Sequence, residues 1–244
     1  MGAHAPLLDV LVRSVGTLTS DFDVVELSQQ LVDACTELTG GAEAGLFLGD
    51  HRGELRVLAA TDERAGLLVE TIDGPSRQAY RTSSPAIVDD LAAAILVWPE
   101  FARYALEHGY RSAYALPLRL RADNIGALTI FGAAPGALDR AAVRSGQILA
   151  DLAAIGIAQH VLRPRIEPMQ ARLPVALQDR VVIEQAKGVL AERGDLDMTE
   201  AFGRLRAHAR RCGLRLAELA GAVVAGSVDA AVVLATPAER EASR

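Results

Sequence analysis

The 244 residues carry 31 acidic and 25 basic side chains, a net charge of −6, and half of them are hydrophobic. That length exceeds one average domain and suits two, while the acidic balance argues against wholesale wrapping of nucleic acid. Cys35 and Cys212 stand too far apart for a disulfide framework or a CxxC metal site and read as buried small hydrophobes.

In chain order, Leu7, Leu8, Leu11, Val12, Val15 and Leu18 fall at helical spacing and predict a short leading helix, broken by Thr19-Ser20-Asp21. A second helix is expected over Val24 to Leu38, stopped by Gly40-Gly41. Short strands follow at Ala44 to Leu48 and Leu55 to Ala60, with a turn at Gly49 to Gly53 between them. Small helices are expected near Glu63 to Glu70 and Ser76 to Thr82, then a short strand at Ala86 to Val88 and a helix at Pro99 to His108. Ser112 to Leu120 and Ile125 to Phe131 make the strongest hairpin, and a long helix from Asp139 to about Leu162 closes the region. Such a series predicts an α+β domain with a largely antiparallel sheet.

Ile148, Leu152, Ile155, Gln159 and Leu162 form a seam of heptad spacing on that last helix, which serves either a coiled-coil partner or the helix's own sheet. Pro164, Pro168 and Pro174 then interrupt the chain, since each removes a donor and restricts its predecessor. The division expected is 1–21 leading helix, 22–162 first domain, 163–174 linker, 175–226 second domain and 227–244 tail. No basic leader with an apolar core opens the chain, and no run of about 18 apolar residues is free of charge. A cytoplasmic protein without a membrane span is therefore expected.

Three amphipathic helices are predicted after the linker, at about Val175 to Arg193, Thr199 to Cys212 and Arg215 to Ala225, with connections too short to keep them apart. Asp197 reads as an N-cap with Glu200 completing a capping box, and Gly194 and Gly213 sit at the reversals. The charge is uneven: residues 1–162 carry 12 basic and 20 acidic side chains, whereas residues 163–244 carry 13 and 11. Of the 25 basic residues only Lys187 is lysine, inside Ile183-Glu184-Gln185-Ala186-Lys187-Gly188. An ammonium there has properties that a planar guanidinium does not reproduce.

On the first of these helices Arg180, Glu184 and Lys187 form a stripe at i, i+4 and i+7, away from Val182, Ile183, Ala186, Val189 and Leu190, so Lys187 should reach solvent. On the second, Ala201, Phe202, Leu205, Ala209 and Cys212 are expected to be buried. Gly203 and Ala207 would then form a bare strip between the rows Arg204/Arg211 and Arg206/Arg210. Small residues flanked by guanidiniums suit close approach of a polyanion, although most charge runs are simply solvated.

The segments Ala176 to Leu190, Met198 to Arg210 and Leu216 to Ala220 are similar in residue and spacing to the ANTAR family, whose signature is an I-x-x-A-K-G-x-L helix followed by an E-A-[FY]-x-x-L-R helix. The resemblance implies an RNA-binding antiterminator that recognises paired stem-loops in nascent transcripts, under the control of a sensory domain. Candidates for RNA contact are Arg180, Lys187, Arg204, Arg206, Arg210, Arg211 and Arg215.

Residues from about Phe22 to His160 resemble the GAF domains that accompany ANTAR in actinobacterial regulators, through Leu31 to Cys35, Trp98 to Phe101, Tyr114 to Arg119 and Asn124 to Leu128. The expected architecture is a GAF-like antiparallel sheet flanked by helices, then an all-α three-helix bundle. A homodimer, an unidentified small-molecule effector and no cofactor are the corresponding expectations. Relatives often place cysteine after the Gly-Pro at Gly74-Pro75, where this chain has Ser76, so thiol-based sensing does not carry over. Ser76, Tyr80, Trp98, Phe101 and Arg111 are candidates for lining an effector pocket, against the commoner role of aromatics as core.

The five histidines have no metal-ligand spacing, and no phosphate loop, dinucleotide fingerprint or nucleophile elbow is present, so no enzyme is expected. A helix-turn-helix that binds duplex DNA and an arginine face that docks a protein remain alternatives.

Overall fold

The structure is a computed structural model that describes residues 23–50, 52–121, 123–161 and 173–235. The expected leading helix, most of the proline-rich linker and the end of the tail lie outside the described residues. The chain divides into two compact units, one chiefly of residues 24–177 and the other chiefly of residues 178–235.

The first unit opens with helix α1 (Val24–Thr39), whose buried Val24, Leu27, Ser28, Leu31, Val32 and Cys35 share a face at three- and four-residue spacing. Gly40, with φ +70°, ends it in the left-handed conformation that glycine takes without strain. Strands β1 (Glu43–Gly49) and β2 (Leu55–Ala60) pair antiparallel, with an irregularity at Leu46/Phe47. The turn between them is held by Asp50, whose Oδ1 accepts from the amides of Arg52 at 2.8 Å and Glu54 at 3.0 Å.

Next come α2 (Glu63–Thr71), α3 (Pro75–Thr82), β3 (Ala86–Val88), a 3-10 turn (Ala93–Leu96) and α4 (Pro99–Glu107). The strongest predicted hairpin is β4 (Ser112–Leu120) with β5 (Asp123–Gly132), closed by a turn so short that Leu120 pairs with Asp123. Helix α5 (Arg140–Val161) completes the unit.

The five strands form one antiparallel sheet in the order β2-β1-β5-β4-β3. Side chains alternate across it. Phe47, Ala113, Ala127 and Phe131 join Leu68, Leu91, Phe101 and Tyr110 in the core shared with α2 and α4. Leu116 and Ile130 point the opposite way, towards α5, where a Cβ on Gly146 would stand 2.9 Å from each. With both faces covered, the central strands are almost wholly buried, and their sequences read as apolar runs rather than as a strict alternation. By length and composition, Arg140–Gln159 of α5 is apolar enough to cross a membrane, and half of that window is buried inside the protein.

The second unit contains most of α6 (Leu173–Gly194), then α7 (Met198–Cys212), α8 (Leu216–Val224) and a short α9 (Ala230–Leu234). Asp197 caps α7 as expected, its carboxylate accepting from the Glu200 amide at 2.7 Å, but the Glu200 side chain turns to Arg204 instead of completing a capping box. Gly213, at φ +64°, ends α7 in the left-handed region. Leu216, Leu219, Ala220 and Val223 give α8 one buried stripe.

Helix α9 lies where only a tail is predicted. Ala230 and Val233 are buried and its N-terminus is capped by Asp229, whose carboxylate accepts from the Ala231 amide at 3.0 Å.

Candidate nucleic-acid interface

The apolar residues of α6 settle which way its polar ones point. Ile183, Ala186 and Leu190 are buried at i, i+3 and i+7, which rotates Arg180, Glu184 and Lys187 onto a neighbouring stripe. Glu184 is shared: its Oε1 is 2.9 Å from Arg180 Nη2, and its Oε2 is 2.9 Å from Lys187 Nζ. Two cations and one carboxylate leave a net positive stripe, tied by contacts that in part-exposed positions are worth only about 0.3–0.5 kcal/mol each.

Lys187 is more enclosed than the helical pattern predicts, with its side chain 16% exposed. The reason is Phe202 of α7, whose ring centroid lies 5.4 Å from Lys187 Nζ and 5.9 Å from the Arg206 guanidinium carbon. The ring's negative face attracts both cations, and the lysine stem packs while its head keeps partial access to water. Arg206 has no carboxylate partner among the described residues, and its Nε is buried without an acceptor. Lys187 and Arg206 therefore share one aromatic ring across two helices, and Glu184 ties Arg180 to Lys187 along α6. The exposed Arg210 follows Arg206 by one turn of α7.

The remaining predicted contacts separate from this cluster. Arg204 donates from Nη2 to Glu200 at 2.6 Å and from Nη1 to the carbonyl of Leu234. Arg211 lies 2.9 Å from His208 Nδ1, and since a guanidinium only donates, that nitrogen accepts and the imidazole is neutral. Burial, followed by the charge of Arg211, lowers the His208 pKa from its ordinary 6.5. Arg215 is exposed and pairs with Glu218 three residues on.

The bare strip expected between the arginine rows is also corrected. Ala207 and His208 are buried, Gly203 is half-buried, and Cys212 is exposed where the turn at Gly213 leaves it beyond the packed face. A helical projection registers the stronger apolar side and misses a second covered flank. Sequence reasoning also missed Phe202 as part of the charged cluster, having assigned it to the core; the signal available was its i, i+4 spacing to Arg206.

In the first unit the five pocket candidates take packing and structural roles. Ser76 is buried, its hydroxyl 2.8 Å from that of Thr129, which docks α3 on β5. Phe101 is 1% exposed and stacks on Phe131 at 6.4 Å between centroids. Gly74 makes room for it, since a Cβ there would come within 2.5 Å of the Phe101 ring. Tyr80 and Trp98 pack half-buried against the same core, and the Tyr80 hydroxyl lies over Gly49, where a Cβ would stand 2.1 Å away. Burial and, after it, nearby Asp50 raise the Tyr80 pKa.

Arg111 donates to the carbonyl of Leu106 at 2.9 Å, in the last turn of α4, and to that of Tyr110 beyond the helix at 3.0 Å. Cys35 is buried as expected, and that burial pushes its thiol up to about 12, against the opposing effect of a hydrogen bond with Thr39. Among the described residues no group of His, Cys, Asp and Glu is arranged to hold a metal ion.

A comparison with curated proteins returns no match. Solved structures do match the first unit. The GAF domain of a phosphoenolpyruvate-protein phosphotransferase from Coxiella burnetii is 17% identical, covers 65% of this chain and 95% of its own, and has a TM-score of 0.52. Free methionine-R-sulfoxide reductase from Neisseria meningitidis is 19% identical, with 63% and 89% covered and a TM-score of 0.50. Identities this low establish the fold alone.

The family comparison adds the sequence evidence, with the GAF domain matching residues 23–158 and the ANTAR domain matching residues 171–224. The chain belongs to the GAF domain family and carries a C-terminal ANTAR domain.

Proposed function

We propose that this protein is a cytoplasmic, non-enzymatic, signal-responsive regulator whose GAF domain controls binding of its ANTAR domain to stem-loops in nascent RNA, so that antitermination follows. The observation that carries the reading is the cluster of Lys187 and Arg206 about Phe202, continued by Arg180 and Arg210. Several cations carried on two helices can meet several phosphates of a folded backbone at once, a gain that a single small anion does not offer. The ANTAR match over residues 171–224 supports the choice of RNA over duplex DNA.

A homodimer fits the same reading, because Ile148 and Ile155, seven residues apart on α5, are 42% and 47% exposed. The signal reaching the GAF domain is a small-molecule effector, and dimerisation or release by that domain controls RNA binding.

Titration of a tandem stem-loop RNA against duplex DNA of equal length, from 50 to about 200 mM salt, tests the proposal. RNA should bind more tightly, and Lys187→Ala or Arg210→Ala should weaken it by about tenfold and reduce the salt slope by about 1. Unchanged affinity in both variants would overturn the assignment of this face.

A further inference from the structure

The ANTAR match ends at residue 224, yet the second unit continues through α9. An isolated helix of five residues does not persist in water, because nucleation takes most of a turn before hydrogen bonds accumulate. Something must therefore hold α9, and three contacts do so. Val233 is fully buried and Ala230 is 1% exposed, which gives the helix an apolar underside. Leu234 lies over Gly194, where a Cβ would stand 2.7 Å from its Cδ2, so the end of α6 leaves space for this side chain. Arg204 of α7 donates through Nη1 to the Leu234 carbonyl while Nη2 is held by Glu200.

The third contact is directional. The last carbonyls of a helix lack intrahelical donors and carry the negative end of its dipole. A guanidinium placed there caps them, with a charge-assisted bond that is stronger than a neutral one. Glu200, one turn earlier on α7, fixes the other edge of the guanidinium, so the side chain arrives oriented.

We propose that α9 is the fourth helix of the effector module and that Arg204 is its latch, a positioning residue for the C-terminal segment and not part of the polyanion-facing cluster. The proposal is independent of what the module binds. Its consequence is that the working module extends ten residues beyond the family match, to Leu234.

The test is thiol labelling of the full-length chain carrying Cys212→Ser, with Val233→Cys as reporter and, in a separate chain, Leu219→Cys on α8 as control. Both sites should label slowly in the parent. Adding Arg204→Ala should speed labelling at position 233 by about tenfold, the scale of one lost charged hydrogen bond, and leave position 219 protected. Arg204→Lys, which keeps the charge and one donor, should fall between the two.

Rapid labelling of position 233 in the parent would show that α9 is not docked. Unchanged protection in Arg204→Ala would show that Arg204 does not hold it. Equal exposure of both reporters would mean loss of the whole bundle and would overturn a local latch.

Discussion

Lys187 Nζ stands 5.4 Å from the centroid of the Phe202 ring and 2.9 Å from a carboxylate oxygen of Glu184, so one ammonium joins two helices through an aromatic face and a counter-ion. Glu184 both orients and partly neutralises the cluster. Glu184→Gln retains the shape and removes the charge, and RNA affinity is expected to rise by about fivefold, within the range of a part-exposed ion pair. Phe202→Leu should act in the opposite direction by loosening both Lys187 and Arg206. Fluorescence anisotropy with stem-loop RNA measures both; a fall in affinity for Glu184→Gln would mean that orientation outweighs neutralisation.

Phe101→Ala should destabilise the first unit by about 3–5 kcal/mol, the range for removing a buried aromatic side chain. The ring is 1% exposed and packs over Gly74 with no space between. Urea unfolding followed by circular dichroism gives the number. A loss below about 1 kcal/mol would mean that the ring is dispensable to the core and available to an effector after all.

Stability should decline on mild acidification because of His208. Its pKa in the folded chain lies below the ordinary 6.5, owing to burial and then to Arg211. Between the folded and unfolded values the unfolded chain binds more protons, so unfolding is favoured as pH falls. The contribution is complete above about pH 6.5 and is lost below it, as pH falls through the folded value. His208→Gln should flatten that part of a urea-midpoint profile recorded from pH 8 to pH 5; an equal slope in both chains would place the acid sensitivity elsewhere.

If α5 forms a self-association seam, Ile148→Asp with Ile155→Asp should yield a monomer in analytical ultracentrifugation while keeping the circular dichroism spectrum of the folded chain. Those two positions are the exposed isoleucines of a helix whose intervening Leu149, Leu152, Ala153 and Ala154 are buried. A parent chain that is already monomeric at micromolar concentration refutes the dimer.

Much of the architecture was legible in the sequence because burial and chain reversal leave local marks. The apolar runs of β4 and β5, the i, i+3, i+4 pattern of α1 and the glycine at position 40 each record a local physical demand. Helix α9 was not legible, since Ala230 to Leu234 is too short to display a period and its contacts lie far off in sequence, at Gly194 and at Arg204, 30 residues away. Ala207 misled for a related reason: a helical wheel shows one apolar arc and cannot show a second surface covering the opposite flank. Ser76, Phe101 and Arg111 have residue types that suit ligands equally well, and only their neighbours reveal a docking hydroxyl, a packed ring and a helix cap.

The carboxylate of Glu184 acts as a tethered competitor for any incoming anion. A lone phosphate must displace a rival whose effective concentration is fixed by the backbone, and it gains almost nothing by the exchange. On the proposed reading, a strand of successive phosphates would instead meet Arg180, Lys187 and Arg206, with one rival against several charges. On that reading, preference for a polymer over a monomer follows from stoichiometry and needs no steric gate.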